Sequence, residues 1–259
     1  GTGGVHGSRI KSGMTISAVS RTRQTAIGLA LAVGIAAAWA ALHVASIFFL
    51  PLPEAGLAAF VLVPVICWLN VGLFIVAHDA MHGSLAPGRP GVNLWAGRLA
   101  LALYAGFSFD RLRPKHFEHH RSPGTAEDPD FSADHPSAFW PWYRAFLRQY
   151  FGGRELAVLM GLVAIYVLLL GAPYPNLLLF WALPAILSSL QLFLFGTFLP
   201  HRAGAEAFGD RHRARSSEHG WLASLITCFH FGYHHEHHRS PATPWWRLPA
   251  ERLRSAPPR

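Results

Sequence analysis

Residues 25–50, TAIGLALAVGIAAAWAALHVASIFFL, run for 26 positions with no ionisable side chain except His43. A backbone inside a bilayer has no water to bond to, so such a run reads as a helix crossing a hydrocarbon core of about 30 Å. It is too long for a secretory signal and lacks the small-residue cleavage pattern. The turn PLPEAG at 51–56 leads into a second apolar run at 57–77, which ends at His78. After a polar stretch come runs at 155–171 and 176–199, joined by APYP at 172–175. The expectation is an all-α integral membrane protein with four transmembrane helices in two hairpins. Residues 1–13 read as an expression-derived leader outside the fold, and 14–259 as a single membrane domain.

The chain carries 22 Lys and Arg against 14 Asp and Glu, a formal charge of +8. A basic chain invites a polyanion partner, but a nucleic-acid-binding domain spreads its basic residues over a soluble fold. Here four precede the first run, nine lie between the second and third, and nine come after the fourth, which accounts for all 22. None lies in the turns at 51–56 and 172–175. By the positive-inside rule both termini and the long middle segment face the cytoplasm. The charge therefore records topology and draws the chain toward anionic headgroups; no nucleic acid is expected. A fifth crossing at 92–109, which holds Asn93 and Arg98, would put the later basic loops on the wrong side. That segment and 219–233 are therefore expected to be amphipathic or re-entrant helices at the cytoplasmic interface. Cys67 and Cys228 are too few for a disulfide scaffold or a thiolate metal site.

Ten of the 16 histidines fall in three clusters. HDAMH holds His78 and His82, HFEHH holds His116, His119 and His120, and HFGYHHEHH holds His230, His234, His235, His237 and His238. Spacings of i, i+4 and i, i+3, i+4 put side chains on one helix face, so each cluster can aim several imidazoles at one point. One pair and two triplets give eight nitrogens, and His201, in FLPHR just after the fourth run, makes nine. One zinc ion would use three or four of them. Nine implies two ions with open positions. Imidazole suits iron, zinc, copper or nickel, so ligand type leaves the metal open. A zinc-peptidase reading of HDAMH fails because Asp79 stands where that motif needs glutamate.

The boxes HxxxH, HxxHH and HxxHH around two hairpins resemble the membrane-bound di-iron superfamily of fatty-acid desaturases, alkane hydroxylases and carotenoid oxygenases. More closely, HDAMHGSLAPGRPGVN (78–93), HFEHHRSPGTAEDPDF (116–131), FGTFLPHR (195–202) and HFGYHHEHHRSPATPWWRLP (230–249) are similar to the bacterial β-carotene ketolases, or carotenoid 4,4'-oxygenases. The resemblance covers about residues 25–250. It implies a fatty-acid desaturase-like domain whose catalytic, metal-binding residues are His78, His82, His116, His119, His120, His201, His234, His237 and His238, holding two iron ions with O2 as co-substrate. It further implies a carotenoid drawn from the bilayer, hydroxylated twice at C4 of the β-ionone ring and dehydrated to a ketone. β-Carotene would give echinenone and canthaxanthin, and zeaxanthin would give astaxanthin. A ferredoxin and its reductase would supply electrons, since the chain has neither a GxGxxG motif nor a cysteine set for an iron–sulfur cluster. The implied location is the bacterial inner membrane, with the site on the cytoplasmic side.

Ligand histidines usually donate their second N–H to a carboxylate or carbonyl. Asp128 and Asp130 in EDPDF are the first candidates for that role, then Asp79 and Glu236. His230 is open between facing the metals and supporting or stacking on a ligand, His235 points away, and His43 packs between helices. Arg111, Arg113, Lys115 and Arg121 could dock an acidic electron carrier, although topology alone explains them equally. Tyr104, Phe107, Phe109, Phe193, Phe195 and Phe198 are candidate polyene walls, with ordinary packing the alternative for each. Two other readings compete. A carotenoid hydroxylase, or a fatty-acid desaturase or hydroxylase, could use the same centre. A histidine-rich metal transporter would instead need polar ligands near the midplane, where the spans offer little beyond His43, Asn70, Ser188, Ser189 and Gln191.

Overall fold

A computed structural model describes residues 8–204 and 207–255, the side chains of 8–19 and 255 excepted. Of the expected leader at 1–13, residues 1–7 lie outside the described residues and 8–13 are described by backbone alone. Every regular element among the described residues is helical.

The first helix, α1 (Ser8–Val44), continues through a π turn at Ala45–Phe49. The second, α2 (Leu52–His82), opens on Pro51 and is bent near its start, where Gly56 has φ 23°. It ends because Gly83, at φ 73°, takes the left-handed conformation that closes a helix. Helix α2 is the axis of the fold, with α1, α3 (Pro90–Ala105) and the long helix α7 (Tyr174–His201) packed around it. From Ile66 onward its side chains are therefore largely buried, whereas α1 leaves side chains such as Val33 and Val44 exposed along its length. Exposed aliphatics along a helix of this length are what a span facing lipid would carry.

Three helices are long and apolar enough to cross a membrane on their own, at Ser20–Phe49, Leu52–His82 and Tyr174–His201. The run expected at 155–171 is a shorter piece, α6 (Gly153–Ala164 with a π turn at Ile165–Leu169). It comes after α5 (Phe139–Tyr150) across a 78° bend, and counts as a fourth candidate only when joined to it. The break has a local cause. The Gly152 backbone N–H donates to the Glu155 carboxylate at 3.1 Å, a fresh helix start.

The two polar residues in the 92–109 segment have separate uses. Asn93 is buried, and its side chain bonds Ala86 N–H and the carbonyls of Ala86 and Arg89 at 2.7 to 3.1 Å, which closes the loop after α2. Arg98 instead reaches Asp110, at 3.0 Å, at the start of α4 (Phe109–Arg121). Gly97 has no room for a side chain, because a Cβ there would lie 2.1 Å from the Phe109 ring. Phe109 thus fastens α4 to α3.

Polar contacts tie the bundle together where an unpaired group would be costly. Trp39 Nε1 donates to Asn70 Oδ1 at 2.7 Å, and His43, stacked on Trp39, meets the Tyr166 hydroxyl at 2.9 Å. Asn176 donates to the carbonyls of Ser46, Ile47 and Leu50, which joins the two turns at the far end of the bundle. Three short helices complete the chain: α8 (Trp221–Cys228), α9 (His234–Arg239) and α10 (Leu248–Ser255).

Candidate metal centre

The nine box histidines come from four elements. His78 and His82 sit on the last turn of α2, and His116, His119 and His120 on α4. His201 ends α7, and His234, His237 and His238 line α9. A π turn at Leu194–Phe198 lies just before His201. One residue inserted into a helical turn rotates the rest of the helix by about 100°, so this turn decides which way His201 faces.

The approach to the third box is also special. Phe229 and His230 both take left-handed backbone, φ 48° and 62°, at about 1–2 kcal/mol each for residues with a Cβ. The turn is held by the Trp68 ring stacked on Phe229 at 4.3 Å, and by His230 packed against Tyr233 and Trp245. His230 therefore supports the turn and joins neither histidine group.

Folding gathers the nine side chains into two adjoining groups. One is His78, His82, His116, His120 and His237; the other is His119, His201, His234 and His238. Within each group one ligand atom per residue lies within 4.8 Å of all the others. Nε2 atoms approach in pairs: His82 to His116 at 2.7 Å, His120 to His237 at 2.9 Å, and His234 to His238 at 3.0 Å. His78 to His237 and His119 to His238 are each 3.1 Å apart. Imidazole nitrogens bound at about 2.0–2.1 Å to one metal stand roughly 2.9–3.4 Å from each other, so four of these five spacings fit a shared ion and the His82–His116 pair is slightly closer. His201 Nε2 is buried without a hydrogen-bond partner, which an ion would satisfy.

The protonation states agree with ligand duty. Burial, then the neighbouring imidazoles, holds His116, His120, His234, His237 and His238 below the ordinary histidine range, so each is neutral at pH 7. His119 differs. Burial pushes its pKa down, but the hydrogen bond to Asp128 and the charges of Asp130 and Asp128 outweigh it, and the net shift is upward.

The supporting contacts separate the candidate acids. His119 Nδ1–H donates to Asp128 at 3.0 Å, and Asp128 is in turn held by the N–H groups of Gly124 and Asp130, each at 2.8 Å. Asp130 lies 3.8 Å from His119, accepts the Tyr150 hydroxyl and is pushed up to about 6 by burial. Asp79 stands 3.8 Å from His78 Nδ1, beyond hydrogen-bond reach, and accepts the Trp245 N–H at 3.1 Å. Glu236 faces away from the histidines, accepting from Ser216 and from Arg252 at 3.0 Å. His235 also points outward, to Asp210 at 2.7 Å.

Two contacts at the centre go beyond the residues that spacing alone singles out. His201 Nδ1–H donates to the carbonyl of Arg213 at 2.8 Å, a backbone partner with no side-chain signature. Phe231 packs against His78 and His234 with centroids 4.7 and 4.9 Å away, between the two groups. Its position inside HFGYHH is the one sequence signal for that role.

An apolar cleft leads to the histidines, with about 900 Å³ of empty space including its open mouth. His78, His116, His119 and His234 form one end, and its walls include Phe74, Tyr104, Phe107, Phe146 and Phe231. Of the six aromatic candidates, Tyr104 and Phe107 are among the lining residues. Phe193 and Phe198 pack instead with Trp142 and Tyr143, and Phe195 belongs to the main core. Of the four basic residues on α4, Arg113 reaches the Met81 carbonyl and lies over Phe117, and Lys115 bonds the Gln149 carbonyl.

The fatty acid desaturase family profile matches residues 53–159 and 148–259. A β-carotene ketolase of a Paracoccus species is 50% identical over 242 residues, covering 93% of this chain and 98% of its own length. A second, from Paracoccus strain PC1, is 49% identical over 89% of this chain and 94% of its own. A zeaxanthin 4-ketolase of Chlamydomonas reinhardtii is 38% identical over 86% of this chain, which spans 52% of that longer protein. With these matches running through all three histidine boxes, the chain belongs to the fatty acid desaturase family, on its β-carotene ketolase branch.

Proposed function

We propose that this chain is a carotenoid 4-ketolase, an O2-dependent membrane oxidoreductase that converts the C4 methylene of a β-ionone ring to a ketone. The observation that carries the reading is the apolar cleft ending on two adjoining groups of buried and half-buried imidazoles. The relatives named above act on β-carotene or zeaxanthin, so the substrate is β-carotene, with zeaxanthin accepted as well.

The five-histidine and four-histidine groups hold two iron ions. Iron bound there supplies the redox chemistry that lets O2 attack a C–H bond. Each hydroxylation consumes one O2, two electrons and two protons, and releases one water. A first round at C4 gives the alcohol, a second gives the gem-diol, and loss of water leaves the conjugated ketone. The C4 hydrogens are allylic to the polyene and weaker than those elsewhere on the ring.

The protein's own part is positioning and exclusion of water. Asp128 keeps the proton on His119 Nδ1, which turns the Nε2 lone pair inward, and the Arg213 carbonyl does the same for His201. Phe231 and Tyr104 give the ring a flat apolar bed at the closed end of the cleft. Both rings are buried in packed surroundings, so a long polyene threaded past them would bring C4 to the same place each time.

The proposed topology has four crossings in two hairpins, with α5 and α6 making the third as a bent unit. Both termini and the histidines lie on the cytoplasmic side of a bacterial inner membrane, in keeping with the distribution of Lys and Arg. A ferredoxin with its reductase delivers the electrons.

Expression in a host that accumulates β-carotene, with the pigments then identified by mass, tests the reading. Echinenone and canthaxanthin are expected. A yield of 3-hydroxylated carotenoid alone would assign the chain to the hydroxylases.

A further inference from the structure

The two histidine groups are built differently. All four members of the second group, His119, His201, His234 and His238, are buried. In the first, His82, His116 and His120 are partly exposed, and only His78 and His237 are buried.

The support behind the ligands differs in the same direction. In the four-histidine group His119 Nδ1 is fixed by Asp128, itself anchored on two backbone N–H groups, and His201 Nδ1 is fixed by the Arg213 carbonyl. In the five-histidine group no Nδ1 makes a hydrogen bond among the described residues. Its nearest carboxylate, Asp79, stands 3.8 Å from His78 and is committed to Trp245.

We infer that the two iron positions differ in lability: the four-histidine position retains its ion, and the five-histidine position exchanges with the medium. The inference rests on the ligand assignment proposed above. Removing a hydrogen-bonded partner behind a metal-bound histidine typically lowers affinity by about 10- to 100-fold, so two fixed imidazoles against none set a bias of at least that size. The fifth ligand works the other way. Yet an ion leaves by giving up one ligand at a time, and a partly exposed imidazole can be replaced by water at each step. Burial of all four side chains makes that replacement harder in the four-histidine group, which water could meet only along the apolar cleft wall at His119 and His234. The exposed edge also carries a cation, since Arg113 lies over the Phe117 ring, and that ring meets His82 edge-on at 5.5 Å. An anionic chelator is drawn to that edge.

The test uses the full chain in lipid nanodiscs, loaded anaerobically with ferrous iron alone and then mixed with an anionic ferrous chelator. Iron release is tracked by chelate absorbance, with no turnover required. Two irons per chain are expected to leave in two phases of equal amplitude, with rates differing by at least about tenfold. His82→Ala should leave one iron that departs in the slow phase, and His201→Ala one that departs in the fast phase. Asp128→Asn, a change of one atom, should speed the slow phase and leave the fast one alone. Two irons leaving in a single phase would overturn the inference and spare the ligand assignment, as would a His82→Ala protein that keeps only the fast phase. Fewer than two irons on the wild-type chain would overturn the ligand assignment and the inference with it.

Discussion

His119 Nδ1 faces both carboxylate oxygens of Asp128 at 3.0 Å, nine residues apart along the chain and both buried. The pair couples the second box to the loop after it. If the contact orients a metal ligand, Asp128→Ala should lower iron affinity by about 10- to 100-fold while the protein still inserts in the membrane. Equilibrium competition against a ferrous chelator measures this, and wild-type affinity in Asp128→Ala would remove Asp128 from the centre.

The ligands themselves give a sharper outcome. His119 serves the four-histidine group and His237 the five-histidine group, with Nε2 atoms 3.1 and 2.9 Å from neighbours in the same group. His119→Ala and His237→Ala should each abolish ketolation with membrane insertion unchanged, scored by pigment mass and by membrane-fraction immunoblot. Wild-type pigment conversion by either variant would contradict its assignment.

Much of this centre is legible in the sequence because its signal is periodic. A helix repeats its face every three to four residues, so HxxxH and HxxHH already point side chains together. The long apolar runs are legible for a similar reason. The remainder depends on contacts that sequence spacing does not encode. The Arg213 carbonyl that holds His201 belongs to a peptide group, and any residue would supply one. The bend that separates α5 from α6 comes from a helix start at Gly152, within a region whose composition looks like an ordinary span. Asn93 looks like a mark against burial, yet it is buried, because three local backbone groups satisfy it.

Packing around Phe231 makes a third prediction. Gly196 on α7 faces that ring so closely that a Cβ would lie 2.7 Å from Phe231 Cε1. Both residues line the cleft, and Phe231 is wedged against His78 and His234, so its ring has nowhere to retreat. Overpacking of this kind costs about 1–3 kcal/mol. Gly196→Ala should therefore lower thermal stability by that amount and reduce ketolation further than the folded fraction alone explains. Thermal melts read beside turnover per folded protein separate the two effects, and turnover that simply tracks the folded fraction would show that Phe231 has no share in positioning.

A fourth prediction concerns helix α9, which carries three of the nine histidines on six residues. A helix that short has no stability of its own and must be held from outside. Its outward side chain Glu236, buried, accepts from Ser216 and from Arg252 of helix α10, and Arg252 also reaches Glu218 at 2.7 Å. Hydrogen bonds to charged groups contribute about 1.5–3 kcal/mol, and because Arg252 is partly exposed the lower end applies. Arg252→Met leaves Glu236 buried with one partner, and α9 should loosen in both groups at once, since His237 belongs to one and His234 and His238 to the other. The expected result is faster iron loss from both positions with insertion retained, and partial recovery in Arg252→Lys. Unchanged release rates in Arg252→Met would mean that Tyr233, the loop at 210–217 and the Arg239–Glu251 ion pair hold the helix without Arg252.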